Sequence, residues 1–104
     1  MTVIAFSVAR FTPADLAEFN AIAEIKLNQG QWAQVTRESG RDFDRLIICL
    51  PGLDRPVFRF ERDRHGRYRL HFNDRAGWYV IGSGTTAGEC LAVWRTRARR
   101  SSAT

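Results

Sequence analysis

The sequence predicts one α+β domain, an antiparallel meander of about five strands with an N-terminal and a C-terminal helix packed on one of its faces. Three observations point to it. A capped amphipathic stretch occupies residues 12–30, short alternating stretches separated by turn residues fill 31–82, and a second capped stretch begins at Thr86. At 104 residues, with 44% hydrophobic side chains, the chain has the length of one domain and enough apolar material for one core. The domain is assigned to residues 1–94, and residues 95–104 to a basic helix end with a fraying tail.

TVIAF (2–6) reads as a short edge strand. In the first helix Thr12 suits the N-cap, Pro13 the first helical position and Asp15 the acidic place of a capping box. Phe11 and Leu16 have the spacing of a hydrophobic staple. Leu16, Phe19, Ala23 and Leu27 form the apolar stripe with Ile22 beside it, and Gly30 ends the helix. Ile25 falls on the opposite side, either exposed or against a second surface. Strands follow at QWAQVTRE (31–38) and, after the turn SGRD (39–42), at RLIICL (45–50). The latter is apolar on both faces and is expected to be central and covered on both sides, or covered by a partner.

The segment VFRFERDRHGRYRLHF (57–72) alternates almost strictly and reads as a hairpin. A three-residue loop, Arg64-His65-Gly66, places Phe58, Phe60, Tyr68, Leu70 and Phe72 on one face. On the other, Asp63 lies opposite Arg67, Glu61 opposite Arg69 and Arg59 opposite His71, so that two pairs join opposite charges and Arg59 is left over. A second such loop, Arg75-Ala76-Gly77, leads into GWYVIG (77–82). It puts Trp78 and Val80 on the core face and Tyr79 and Ile81 beside Arg69 and His71. The closing segment GSGTTAGECLAVWRTRARR (82–100) carries a capping box at Thr86 and Glu89 and a helical stripe of Cys90, Leu91, Trp94 and Ala98.

The formal charge is +5 and the isoelectric point about 10.2, which suggests nucleic acid. Its distribution argues otherwise. Arg95, Arg97, Arg99 and Arg100 supply four of the five net charges, and residues 1–94 hold 12 basic against 11 acidic side chains. Cationic residues late in a helix also suit its dipole. No apolar run is long enough for a membrane span, and MTVIAFSVARF lacks the basic and long apolar regions of a secretory signal. A cytoplasmic protein with two reduced, mostly buried thiols, Cys49 and Cys90, is expected.

Three function classes follow, in this order. The first is a small non-enzymatic accessory or regulatory binding protein. It contacts a protein partner, or a second copy of itself, through a sheet face bearing Tyr79, Ile81, Arg59, Arg69 and His71. The second is a nucleic-acid-associated protein using Arg59, Arg67, Arg69, Arg95, Arg97, Arg99 and Arg100. The third is a small enzyme or ligand-binding domain using the turn Gly82-Ser83-Gly84-Thr85-Thr86, whose amides face a helix start and suit an anion, or Cys90. That turn lacks the lysine of a phosphate-binding loop, and a capped strand-to-helix turn accounts for it. Cys49, His65, His71 and Cys90 lack metal-ligand spacing, so no metal site, cofactor or catalytic residue is nominated.

Overall fold

The computed structural model describes residues 9–103, with side chains from 9 to 95. The strand expected over 2–6 lies outside the described residues. The element order is α1 (Pro13–Asn28), β1 (Gln34–Ser39), β2 (Phe43–Cys49), β3 (Pro56–Asp63), β4 (Tyr68–Asn73), β5 (Trp78–Gly84) and α2 (Ala87–Ala103). The five strands form one antiparallel sheet in chain order, so β3 is central and β1 and β5 are the edges. This is the expected α+β meander with a helix before and after it.

Helix α1 has the expected ends. The Asp15 amide donates to the Thr12 hydroxyl at 3.1 Å, and the Asp15 carboxylate accepts from the Thr12 amide at 2.9 Å. At the other end Gly30, with φ +73°, donates to the Leu27 carbonyl and Gln31 donates to that of Lys26. This 5→2 and 6→1 pair is the Schellman arrangement, which a residue in the left-handed region permits. Phe19 and Ala23 are buried, but Leu27 is 40% exposed and Ile25 56% exposed. Leu27 therefore leaves the expected stripe, because the helix turns its last residues away from the sheet.

Both helices cover one sheet face. Phe19 and Ala23 of α1 and Ala87, Cys90, Leu91 and Trp94 of α2 join Leu46, Ile48, Phe60, Tyr68 and Leu70 in one buried cluster. Phe11 and Phe19 stack on Phe60 with ring centroids at 5.1 and 5.6 Å. Trp32, which precedes β1 rather than opening it, packs edge-on against Trp94 at 5.2 Å. Its amide donates to the Lys26 carbonyl at the helix end, and sheet pairing begins one residue later, at Ala33. Strand β2 alternates between buried Asp44, Leu46 and Ile48 and half-buried Phe43, Arg45, Ile47 and Cys49. It lies inside the sheet between β1 and β3, and among the described residues the helices cover one of its faces, which leaves cover by a partner as the other expectation for the second face.

The β3–β4 hairpin has the expected register, Phe58 with Phe72, Arg59 with His71, Phe60 with Leu70 and Glu61 with Arg69. Gly66 holds φ +75° in the loop. The β4–β5 connection differs by one residue. Asn73 pairs with Trp78, Phe72 with Tyr79 and His71 with Val80. The Asn73 side chain accepts from the Arg75 amide at 3.1 Å and that of Asp74 from the Ala76 amide at 3.0 Å. These bonds tighten the loop to Arg75-Ala76, and Arg75, not Gly77, takes the positive φ, +90°. A one-residue slip exchanges the faces of a strand. Trp78 and Val80 thus join His71 on the helix-free face. A bulge between Leu70 and His71 leaves Ile81 as the extra residue, and the expected register returns at Gly82 opposite Leu70.

A buried carboxylate ties the chain before α1 to the sheet. Asp44 is fully buried and accepts from the Phe11 amide at 2.9 Å, Ser39 Oγ at 2.6 Å, and Arg37 Nε and Nη2 at 3.1 and 2.6 Å. Burial pushes its carboxyl up, but the bonds from Arg37, Ser39 and Phe11 outweigh it and hold the group below its ordinary value.

Two predictions follow from this packing. Asp44→Ala leaves the buried Phe11 amide and the Ser39 hydroxyl without this acceptor, while the half-exposed Arg37 turns to water, and urea titration should show a loss of roughly 2–3 kcal/mol. Because the folded value is depressed, this contribution is present above the ordinary value of 3.8 and fades as pH falls through the folded value, so the variant should lose part of the acid-unfolding transition. In the second, a Cβ on Gly82 would lie 2.6 Å from the Cys90 carbonyl, while one on Gly77 meets nothing within 4 Å. Gly82→Ala should cost about 1–3 kcal/mol and Gly77→Ala less than about 0.5. A large cost at Gly77 would restore the longer loop with glycine in the left-handed region.

Candidate functional site

The helix-free face is built from cross-strand rows. In one, Glu38, Arg45, Glu61 and Arg69 stand side by side on β1 to β4. Arg45 Nε donates to Glu61 Oε1 at 2.7 Å and Arg45 Nη1 to Glu38 at 3.2 Å. Arg69 reaches past Glu61 to Asp63 at 2.7 Å. The expected pairing of Glu61 with Arg69 and Asp63 with Arg67 is thereby rearranged: Glu61 serves Arg45 on β2, which hairpin reasoning did not include. The Asp63 carboxylate also accepts from the His65 and Arg67 amides and is held below its ordinary value, burial being outweighed by these bonds and Arg69.

The adjacent row is Thr36, Ile47, Arg59, His71 and Val80. Here Arg59 is 20% exposed, and its Cζ lies 4.4 Å from the centre of the Trp78 ring. Its nearest acid is Glu61, 3.8 Å from Nε, beyond hydrogen-bond range. Nε is buried without a hydrogen-bond partner, and so is Nδ1 of His71, directly opposite. A buried polar atom left this way costs about 1–3 kcal/mol, so two of them on paired residues mark a place the fold has not satisfied internally. Burial, then the Arg59 charge, lowers the His71 pKa against Glu61 and the Arg59 carbonyl, so the imidazole is neutral near pH 7. Val80 is 55% exposed. The row thus offers a stacked cation between Ile47 and His71, with exposed Val80 beyond.

The candidates from the sequence are distributed as follows. Arg59, Arg69 and His71 are together on this face. Tyr79 and Ile81 are not: Tyr79 pairs with Phe72 and is 49% exposed, and Ile81 packs against the core from the bulge. Trp78, Val80 and Ile47 take their place. The signal for this exchange is the dipeptide Asn73-Asp74, whose side chains favour tight turns. Arg67 is exposed beside the hairpin loop. Arg95 pairs with Glu18 at 2.6 Å. The side chains of Arg97, Arg99 and Arg100 lie outside those described, and the backbone there continues α2.

At the Gly82–Thr86 turn the anion is the chain's own. Glu89 accepts from the Thr85 amide at 2.8 Å and Thr85 Oγ1 at 3.0 Å, while its amide donates to Thr86 Oγ1 at 3.1 Å. These bonds hold Glu89 below its ordinary value. The reciprocal capping bond therefore involves Thr85 rather than Thr86.

A second polar cluster sits on the helix side. Tyr68 Oη donates to Asp15 at 2.7 Å, and Arg62 donates to the Arg10 carbonyl at 2.6 Å while approaching Asp15 at 3.6 Å. Burial, reinforced by Asp15, pushes the Tyr68 phenol up to about 12. Sequence reasoning missed this cluster because its members are up to 53 residues apart. Among the described residues no group of three His, Cys, Asp or Glu could hold a metal ion. No helix is long and apolar enough to cross a membrane, among the residues described.

In comparisons with protein-family models, curated proteins and solved structures, nothing matches this chain. Function is therefore argued from the site itself.

Cys90 is fully buried in the core cluster, on the helix side, whereas His71 faces the other side of the sheet. Burial pushes the thiol up to about 12. Iodoacetamide at pH 8 should label half-buried Cys49 first and Cys90 only on unfolding, as read by peptide mass. Rapid labelling of Cys90 in the folded chain would reopen thiol chemistry.

Proposed function

We propose that this chain is a small non-enzymatic binding or accessory module that contacts another protein through its helix-free sheet face. The observation that carries this reading is Arg59, a largely buried cation stacked on Trp78 whose side chain makes no hydrogen bond to another described residue, in a row with exposed Val80 and half-buried Ile47. Apolar side chains around a rigid arginine and a tryptophan have the composition of interface hot spots. The charges beside them are already matched within the sheet, which favours a protein over a polyanion. Contact with a second copy falls within the same reading.

The test uses the full chain. Sedimentation equilibrium measures self-association. Partners captured by the immobilised chain are identified, purified and titrated back against wild type, Val80→Ser and Ile47→Ser. These substitutions should weaken the complex or dimer by roughly tenfold, as truncation at an interface core does, without changing thermal stability. A monomer that forms no protein complex, yet binds labelled DNA or RNA with a steep salt dependence, would replace this reading with the nucleic-acid one.

A further inference from the structure

We infer that the helix-free face carries a binding site for a single carboxylate, presented by an acidic side chain of a protein partner, centred on Arg59. The inference rests on the sheet face being the contact surface and names what that surface recognises.

Arg59 Nε has no acceptor among the described residues and is closed to solvent, so an incoming carboxylate meets the terminal Nη donors, which make no bond to a described residue. No side-chain hydrogen bond joins Arg59 to any other described residue, although its side chain is only 20% exposed. The one acid nearby is committed elsewhere: Glu61 Oε1 takes the 2.7 Å bond from Arg45 and stays 3.8 Å from Arg59. Stacking on Trp78 engages the flat face of the guanidinium, whereas hydrogen bonds to a carboxylate leave from its edge. The two do not compete. Stacking also fixes the side chain before any ligand arrives, so little rotamer freedom remains to be lost on binding.

Charge and surroundings select the class of ligand. Arg45, Arg59, Arg67 and Arg69 on this face stand against Glu38, Glu61 and Asp63, a net of one positive charge, so it presents no broad positive field for a chain of phosphates. It presents one local set of donors instead. Ile47 and His71 stand directly beside Arg59 in the row, and Val80 stands beyond. A carboxylate between apolar neighbours fits this pattern, because its flanking side chains cover Ile47 and Val80 while its oxygens meet the guanidinium in a poorly hydrated setting.

The test titrates the full-length 15N-labelled chain with the blocked tripeptide acetyl-Leu-Glu-Leu-amide, with its glutamine counterpart, and with inorganic phosphate at matched ionic strength. The readouts are the Arg59 Nε–H and Trp78 indole N–H resonances. The glutamate peptide should shift both saturably and bind at least about tenfold tighter than the glutamine peptide. Arg59→Gln should lose that preference, and Arg59→Lys should keep only part of it, since an ammonium retains the charge but not the planar fork. Equal binding of the two peptides, unchanged selectivity in Arg59→Gln, or phosphate shifting the same resonances at lower concentration would each overturn the inference. If an identified partner is weakened by Val80→Ser but binds Arg59→Gln as tightly as wild type, the carboxylate site is withdrawn while the contact surface stands. Peptide selectivity at Arg59 in a chain that makes no protein contact through this face would overturn the protein source of the carboxylate.

Discussion

The ring of Phe60, at the middle of the central strand, receives Phe11 at 5.1 Å and Phe19 at 5.6 Å and lies 6.0 Å from Tyr68 on the neighbouring strand. Through this one side chain the segment before α1, the helix itself and two strands meet. Phe19 extends the contact to Trp32, and Trp94 of α2 adds the last ring. Large aromatic surfaces buried this way supply most of what a chain of this size can gain from a core. Because these rings all gather on one side of the sheet, both helices must pack there. Among the described residues, the other side is shaped by strand alternation.

The polar contacts at the end of the sheet follow from that layering. The chain crosses the end of the aromatic stack at residues 10–15, where its amides and carbonyls need partners away from water. Asp44 accepts from the Phe11 amide, Asp15 from the Thr12 amide and the Tyr68 hydroxyl, and Arg62 donates to the Arg10 carbonyl. Asp44 and Asp15 each accept more than one bond here, whereas Arg62 makes one and, like Arg59, keeps a buried Nε without a partner among the described residues. The two carboxylates are satisfied within the chain, while on the helix-free face Arg59 makes no side-chain hydrogen bond to a described residue.

On that surface the chemistry is decided by register. The row of Glu38, Arg45, Glu61 and Arg69 neutralises itself across four strands, which removes most of the apparent basicity of the hairpin. The slip in β5 brings Trp78 under Arg59, and the bulge at Ile81 returns the strand to the register that lets Gly82 pass close to α2. Without the slip, Arg59 would lack its stacking partner; without the bulge, the entry to α2 would be misplaced.

Much of this fold was legible from local pattern. The Thr12–Asp15 box, the glycine that ends α1, and the β3–β4 register are set by residues within a few positions of each other, where capping, turn chemistry and two-residue periodicity act directly. Arg59 could likewise be seen as the unpaired member of its hairpin. Its partner could not. A three-residue loop Arg75-Ala76-Gly77, like the one ending in Gly66, turns Trp78 to the core, and only the hydrogen bonds of Asn73 and Asp74 shorten the loop and turn it over. Glu61 was matched to the wrong arginine because its true partner comes from a strand 16 residues earlier. Asp44 carries no local signal, because its four donors come from two other segments, Phe11 before α1 and Arg37 with Ser39 on β1. Short-range sterics and periodicity are encoded residue by residue, while the pairing of charges and the facing of an edge strand are settled by which distant groups the packed chain brings within bonding distance.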